Sequence, residues 1–146
     1  MPILTAPILP GGLYIPALIG QDSNQLKAIQ ATGAPIPMPL RGRAILDTGA
    51  NHTSVGPSII AALGLSPLRA AQTQTASGWV NVQYYLISFT LYDPANPTGP
   101  KLFRSNWSVT NLFQDLPDAD GIIGLDLIGQ LILHIDGPAG QFTLTF

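Results

Sequence analysis

The segment between Gln72 and Asp93 constrains the fold most strongly, because it has the pattern of a long β-hairpin. Threonine and glutamine alternate before a turn signal at Ser77-Gly78, and apolar residues alternate with polar ones beyond it, at Val80, Val82, Ile87, Phe89 and Leu91. Alternation with a period of two is typical of strands that bury one face. The segment therefore predicts a long hairpin with a polar outer end.

The composition favours strands and turns over helices. The chain has 146 residues, of which 46% are hydrophobic and 10% charged, with 15 glycines and 14 prolines. A charged share so far below the usual value of roughly a quarter excludes a disordered chain. The length suits one domain with its own core, so we predict a single all-β domain spanning residues 1–146 with one or two short helices.

Several shorter segments have the signals of individual elements. Ser23–Gly33 predicts a short helix with Ser23 as its N-cap, although a surface loop fits the pattern equally well. Gly56–Leu65 predicts a second helix, because Pro57 lies near its start and Gly64 at its end. Strands are predicted at Gly12–Gly20, at Arg43–Leu46, at Leu102–Val109 and in a hairpin that closes the chain at Leu131–Phe146.

Charge and residue usage exclude several classes of function. The net charge is −2 and the six basic residues are scattered, so we expect no nucleic-acid partner. The chain has no cysteine, and His52 and His134 have no neighbouring Cys or Glu, so we expect no metal and no cofactor. No apolar run approaches the ~20 residues that span a bilayer, so we expect no membrane association.

Asp47 ends an apolar strand of Ala44, Ile45 and Leu46 and opens the turn Asp-Thr-Gly-Ala. A carboxylate in this position is predicted to be at least partly buried, where it must be hydrogen-bonded or shift its pKa upward. Thr48 supplies a hydroxyl, and Gly49 lets backbone N–H groups come close. Asp47 is therefore a candidate acid or base. Taken alone, the motif is equally compatible with an ordinary turn at the end of a strand.

A second motif, Gly121-Ile122-Ile123-Gly124-Leu125-Asp126, lies about 75 residues later. The two motifs and the hairpin between them, in this order, resemble the retropepsin-like aspartic peptidases, which include the retroviral proteases and single-domain bacterial relatives. Gly124-Leu125-Asp126 replaces the Gly-Arg-Asn of the viral enzymes, so the chain resembles the bacterial members more. The resemblance implies an acid-protease barrel with a flap hairpin and a symmetric homodimer.

The resemblance also assigns roles to individual residues. The family uses two facing aspartates and this chain has one Asp-Thr-Gly, so the second would be Asp47 of an identical chain. The implied activity is hydrolysis of peptide bonds in an extended substrate by a water activated between the two carboxylates. The implied supporting residues are Thr48, Gly49 and Ala50 beside the dyad, Ser77, Gly78 and Trp79 at the flap tip, and Asn51, Ile122 and Gly124 in the substrate pocket.

Some alternatives stay open at this stage. The chain could keep the fold as a catalytically silent dimerisation or peptide-binding module, or form a monomeric ligand-binding barrel in which Asp47 is a turn residue. Trp79 could pack in the core instead of contacting substrate. Asp126 is predicted to cap the short helix that follows it. Two glycosylation sequons that we interpret as unused, with no signal-like N-terminus, predict a bacterial cytoplasmic protein.

Overall fold

The computed structural model describes residues 1–146. Ten strands and three helices follow one another: β1 (Ile3–Pro7), β2 (Tyr14–Gln21), α1 (Ser23–Ala31), β3 (Leu40–Leu46), β4 (Ser54–Val55), α2 (Pro57–Leu63), β5 (Arg69–Thr75), β6 (Gly78–Leu91), β7 (Leu102–Asn111), β8 (Gly121–Ile123), α3 (Leu125–Ile128), β9 (Ile132–Asp136) and β10 (Gln141–Thr145). The predicted hairpin is confirmed as β5 and β6, and the closing hairpin as β9 and β10.

Six strands form a closed barrel. They follow the order β2-β3-β8-β4-β7-β6, and the ring closes because β2 pairs with both β3 and β6. Closure pairs strands that would otherwise present free edges. β5 pairs only with β6 and continues the sheet outside the ring, so the β5–β6 hairpin extends from the barrel. The all-β barrel predicted from the sequence is confirmed.

Apolar residues at alternating positions along the strands fill the barrel. On β6, Val82, Tyr85, Ile87, Phe89 and Leu91 are buried, whereas the outer part of the strand before Val82 is half-buried or exposed. This matches the change from a polar to an apolar pattern along the segment. The other fully buried large side chains of the barrel include Ile15, Leu102 and Val109.

A second sheet joins the two ends of the chain. Its order is β1-β10-β9, with all pairs antiparallel. Phe142 and Leu144 of the central strand β10 are fully buried and belong to the same core as the barrel residues. The chain ends therefore pair with each other inside one chain, and the apolar face of β10 packs on its own core.

The helices are short, and two of their caps differ from prediction. Asp22, and not Ser23, caps α1, since its buried carboxylate accepts the Gln25 N–H at 2.9 Å. α2 ends as predicted at Gly64, whose φ of 62° is left-handed. Gly124 takes the N-cap position of α3, so Asp126 lies in the first turn and does not cap the helix. No helix combines the length and the apolar character needed to cross a membrane.

Candidate functional site

The two sequence motifs meet at one end of the barrel. β3 and β8 are parallel neighbours in which Ile45 pairs with Ile122 and Leu46 with Ile123. The Asp47 N–H continues this ladder by donating to the Ile123 carbonyl at 3.0 Å. Asp47 is therefore held where β3 ends, directly beside the second motif.

The Asp47 carboxylate is exposed in the single chain. Its Oδ1 accepts the Gly49 N–H at 2.8 Å, and its carbonyl accepts the Ala50 N–H at 3.1 Å. The expectation of partial burial is wrong for this chain alone, because the backbone leaves the barrel immediately after buried Leu46. The tight turn nevertheless fixes the direction of the carboxylate, which points away from the core.

The turn after Asp47 packs closely on the start of α3. The N–H groups of Leu125 and Asp126 donate to the carbonyls of Ala50 and Asn51 at 2.8 and 3.2 Å. A Cβ built on Gly124 would lie 2.9 Å from the Ala50 carbonyl oxygen. The backbones can approach this closely only because residue 124 is a glycine.

Thr53 adds a side-chain link between the same two segments. Its Oγ1 donates to Asp126 Oδ1 at 2.8 Å and accepts the Gly124 N–H at 3.3 Å. Thr53 is buried, and Asp126 therefore anchors the loop that carries Asp47. Sequence reasoning missed Thr53, because a threonine between the Asp-Thr-Gly turn and a short strand carries no pattern of its own.

A cleft of ≈ 230 Å³ separates the Asp47 loop from the β5–β6 hairpin. Three predicted site residues, Gly49, Ala50 and Asn51, form part of its wall. The remaining lining residues come from the following loop, the hairpin and the end of β7: His52, Ser54, Thr73, Gln74, Thr75, Val80, Val82, Thr110, Asn111, Leu112 and Phe113. The lining therefore combines polar and apolar groups.

The residues predicted at the hairpin tip, Ser77, Gly78 and Trp79, do not line this cleft. Thr75 pairs with Gly78, so Ala76 and Ser77 form the turn, and Gly78 has a φ of 112° that favours glycine. Trp79 is 67% exposed and is not a core residue. It lies on the opposite strand face from Val80 and Val82, which line the cleft.

The remaining predicted site residues are Ile122, Gly124 and Thr48, and none of them lines the cleft. Ile122 lines a second, mostly apolar pocket together with core residues such as Phe89, and does not line the cleft. Gly124 contacts the backbone of the Asp47 loop. Thr48 is exposed and its hydroxyl makes no hydrogen bond within the chain.

Sequence reasoning also missed part of the cleft wall. His52 follows the motif directly, so its proximity was a usable signal. Residues Thr110–Phe113 carried none, because they reach the cleft through the parallel pairing of β4 with β7, in which Ser54 pairs with Thr110. The Ser54 and Thr110 hydroxyls share a hydrogen bond of 2.7 Å that fixes this wall.

The Asp-Thr-Gly turn lies at the end of a barrel strand and packs against the glycine that precedes a short helix. This arrangement defines an aspartyl-protease type of site. The family model described as aspartyl protease matches residues 39–127, which include both motifs, and the chain belongs to this family. The fold is similar to the crystal structure of a retropepsin-like aspartic protease from Rickettsia conorii. That comparison has a TM-score of 0.59 and 14% identity and covers 97% of this chain and 89% of the other. No curated protein matches the sequence.

Proposed function

We propose that this chain is an aspartic endopeptidase that forms a homodimer, with one Asp47 contributed by each copy. The observation that carries the proposal is the position of Asp47, held by the Gly49 N–H and exposed at the surface of a chain with a single Asp-Thr-Gly. Exposure leaves its carboxylate accessible to the same surface of a second copy, as a twofold contact requires. The free hydroxyl of Thr48 is then available to bind the backbone of the opposite chain.

The proposed chemistry follows from two carboxylates placed close together. Both cannot be ionised at once without strong repulsion, so the pair holds one proton. The ionised carboxylate removes a proton from a water molecule as that water attacks the scissile carbonyl carbon. The protonated carboxyl donates its proton to the carbonyl oxygen. The turn fixes the direction of each carboxylate, which reduces the reorganisation needed in the transition state.

The proposed substrate is an extended peptide in the cleft, hydrogen-bonded along its backbone like an added strand. The β5–β6 hairpin would act as the flap that covers it, in a single domain of residues 1–146. Val80, Val82, Leu112 and Phe113 give the cleft apolar walls, which favours apolar side chains near the cut bond. Phe113 is 67% exposed in the single chain and is free to contact a substrate.

The decisive experiment combines peptide cleavage with the mass of the protein in solution. We expect the purified chain to cleave members of a peptide library and to sediment as a dimer. Asp47→Asn should abolish cleavage and leave the dimer intact. Asp118→Asn is the matched control, because the Asp118 carboxylate makes no hydrogen bond in the chain, and it should remain active.

The outcomes separate the alternatives. A dimer that cleaves no peptide would indicate a catalytically silent module. A strict monomer would indicate a ligand-binding barrel, since it cannot assemble a pair of Asp47 residues. Cleavage that survives in Asp47→Asn would show that Asp47 is not the catalytic group.

A further inference from the structure

Only one side chain that lines the cleft carries an ionisable group. The lining residues contribute amides, hydroxyls and apolar groups, and none of them is Asp, Glu, Lys or Arg. His52 is the exception, and its side chain is exposed. Its imidazole N–H can donate a hydrogen bond to a group that enters the cleft.

His52 belongs to a small cluster built from three segments. Its ring packs edge-on against Tyr84 of β6, with the ring centroids 6.2 Å apart and an interplanar angle of 78°. The guanidinium of Arg69 on β5 lies over the same Tyr84 ring, 4.3 Å from its centroid. The aromatic contact orients the imidazole, and Arg69 places a permanent positive charge on the same tyrosine.

The nearby carboxylates leave this cluster without an anionic partner. Asp126 of α3 approaches the loop through its backbone, and its carboxylate accepts the Thr53 hydroxyl at 2.8 Å. Asp47 lies five positions before His52, and its carboxylate is held by Gly49. Neither the His52 imidazole nor the Arg69 guanidinium makes a hydrogen bond within the chain. Both donors are therefore free to bind a group that enters from outside.

We propose that His52, on the wall of the cleft, and Arg69, which reaches the same Tyr84 ring from outside the lining, together bind a carboxylate side chain, Asp or Glu, of the bound peptide. The inference rests on the proposed function, because it assigns a specificity to the same cleft. The imidazole N–H of His52 can donate a hydrogen bond to a carboxylate, and the Arg69 guanidinium donates charge-assisted hydrogen bonds. The preference for an acidic side chain weakens as the salt concentration rises, because the Arg69 charge is exposed to solvent.

The test uses matched peptides that differ only by Glu or Gln at one position at a time around the cut bond. We expect one position at which the Glu peptide has the higher kcat/KM, by about three- to fivefold at low salt. The Glu to Gln ratio should fall in His52→Asn and reach about one in His52→Asn combined with Arg69→Gln. It should also fall in high salt, which screens exposed charges. His134→Asn, on β9 in the other sheet, is the matched control and should keep the wild-type ratio.

Binding is measured in parallel, so that failure of this inference can be told from failure of the proposed function. Asp47→Asn is titrated with the same Glu and Gln peptides while the His52 imidazole resonances are followed by NMR. Cleavage of both peptides with equal kcat/KM at every position would overturn the carboxylate site and leave the peptidase intact. A preference that persists unchanged in the His52→Asn and Arg69→Gln double variant would also overturn it. Absence of any cleavage would count against the proposed function, and the NMR titration alone would then decide whether the cluster binds the Glu side chain.

Discussion

Gly124 and Ala50 lie in direct backbone contact, although they belong to motifs more than 70 positions apart. A Cβ built on Gly124 would lie 2.9 Å from the Ala50 carbonyl oxygen and 2.7 Å from the His52 carbonyl group. The contact positions the loop that carries Asp47 against α3. The second motif therefore contributes a glycine whose role is to bring two backbones together.

Gly124→Ala should destabilise the protein and displace the Asp47 loop. A methyl group at this position must move backbone atoms, which costs about 1–3 kcal/mol in a packed structure. Urea denaturation measures the loss, and kcat/KM on a peptide substrate should fall by more than the lost stability explains. Gly137→Ala is the matched control, since a Cβ there would meet nothing within 4 Å. Equal stability of the two variants would show that Gly124 does not lie in close contact with the Ala50 carbonyl.

Asp115 should make the stability of the protein depend on pH. Its carboxylate accepts the hydroxyl and the N–H of Ser58 at the start of α2, and these two hydrogen bonds lower the pKa of Asp115 below its ordinary value of 3.8. A lowered pKa means that the folded state favours the charged form. The stabilisation is therefore complete above pH 3.8 and is lost as the pH falls through the lower folded pKa.

The measurement compares wild type with Asp115→Ala in urea at several pH values. The difference between the urea concentrations at which the two proteins are half unfolded should be constant near neutral pH and should shrink below about pH 4. Asp118→Ala, in the same loop but with no side-chain hydrogen bond, should show no such trend. A difference between wild type and Asp115→Ala that is independent of pH would show that the Ser58 bonds do not depend on the carboxylate charge.

The sequence was informative wherever a local pattern sufficed. The period-two alternation around Ser77-Gly78 predicted the β5–β6 hairpin, and Pro57 with Gly64 predicted α2. It was uninformative where distant segments decide the environment. The exposure of Asp47, the bond from Thr53 to Asp126 and the approach of residues 110–113 to the cleft all depend on which strands become neighbours in the barrel.

Removing Thr143–Phe146 should unfold the chain. Leu144 is fully buried, and β10 is the central strand between β1 and β9, so the truncation removes ladder bonds on both sides. Because β10 pairs with β1 and β9 of the same chain, we expect the truncated protein not to fold. Circular dichroism should show this as loss of the far-UV signal of the strands. A folded monomer or an active truncated protein would contradict this arrangement.

The β5–β6 hairpin should open readily in the absence of substrate. Residues 74–77 and Trp79 are exposed, and the strand has no buried side chain before Val82. Few buried contacts mean a low free energy of local opening. Hydrogen exchange should therefore be fast at Thr73–Trp79 in the free protein and slower with a peptide-like inhibitor. Strong protection of this segment without inhibitor would identify it as a fixed loop.

Ala50→Ser should move the pH dependence of peptide cleavage to lower pH. Ala50 follows Gly49, whose N–H holds the Asp47 carboxylate, and its side chain has no hydrogen-bond donor. A serine hydroxyl at this position can donate to the carboxylate, and a donor favours the charged form and lowers the pKa. The proposed dyad would then release its shared proton at lower pH.

The measurement is kcat/KM against pH for wild type and Ala50→Ser on one peptide, with the dimer verified by sedimentation. The active window lies between the two macroscopic pKa values of the pair, so both limits should shift downward together. Ala50→Val, which has no hydroxyl, controls for the added volume and should leave the limits unshifted. A profile that stays in place or moves upward in Ala50→Ser would show that residue 50 does not contact the catalytic carboxylates.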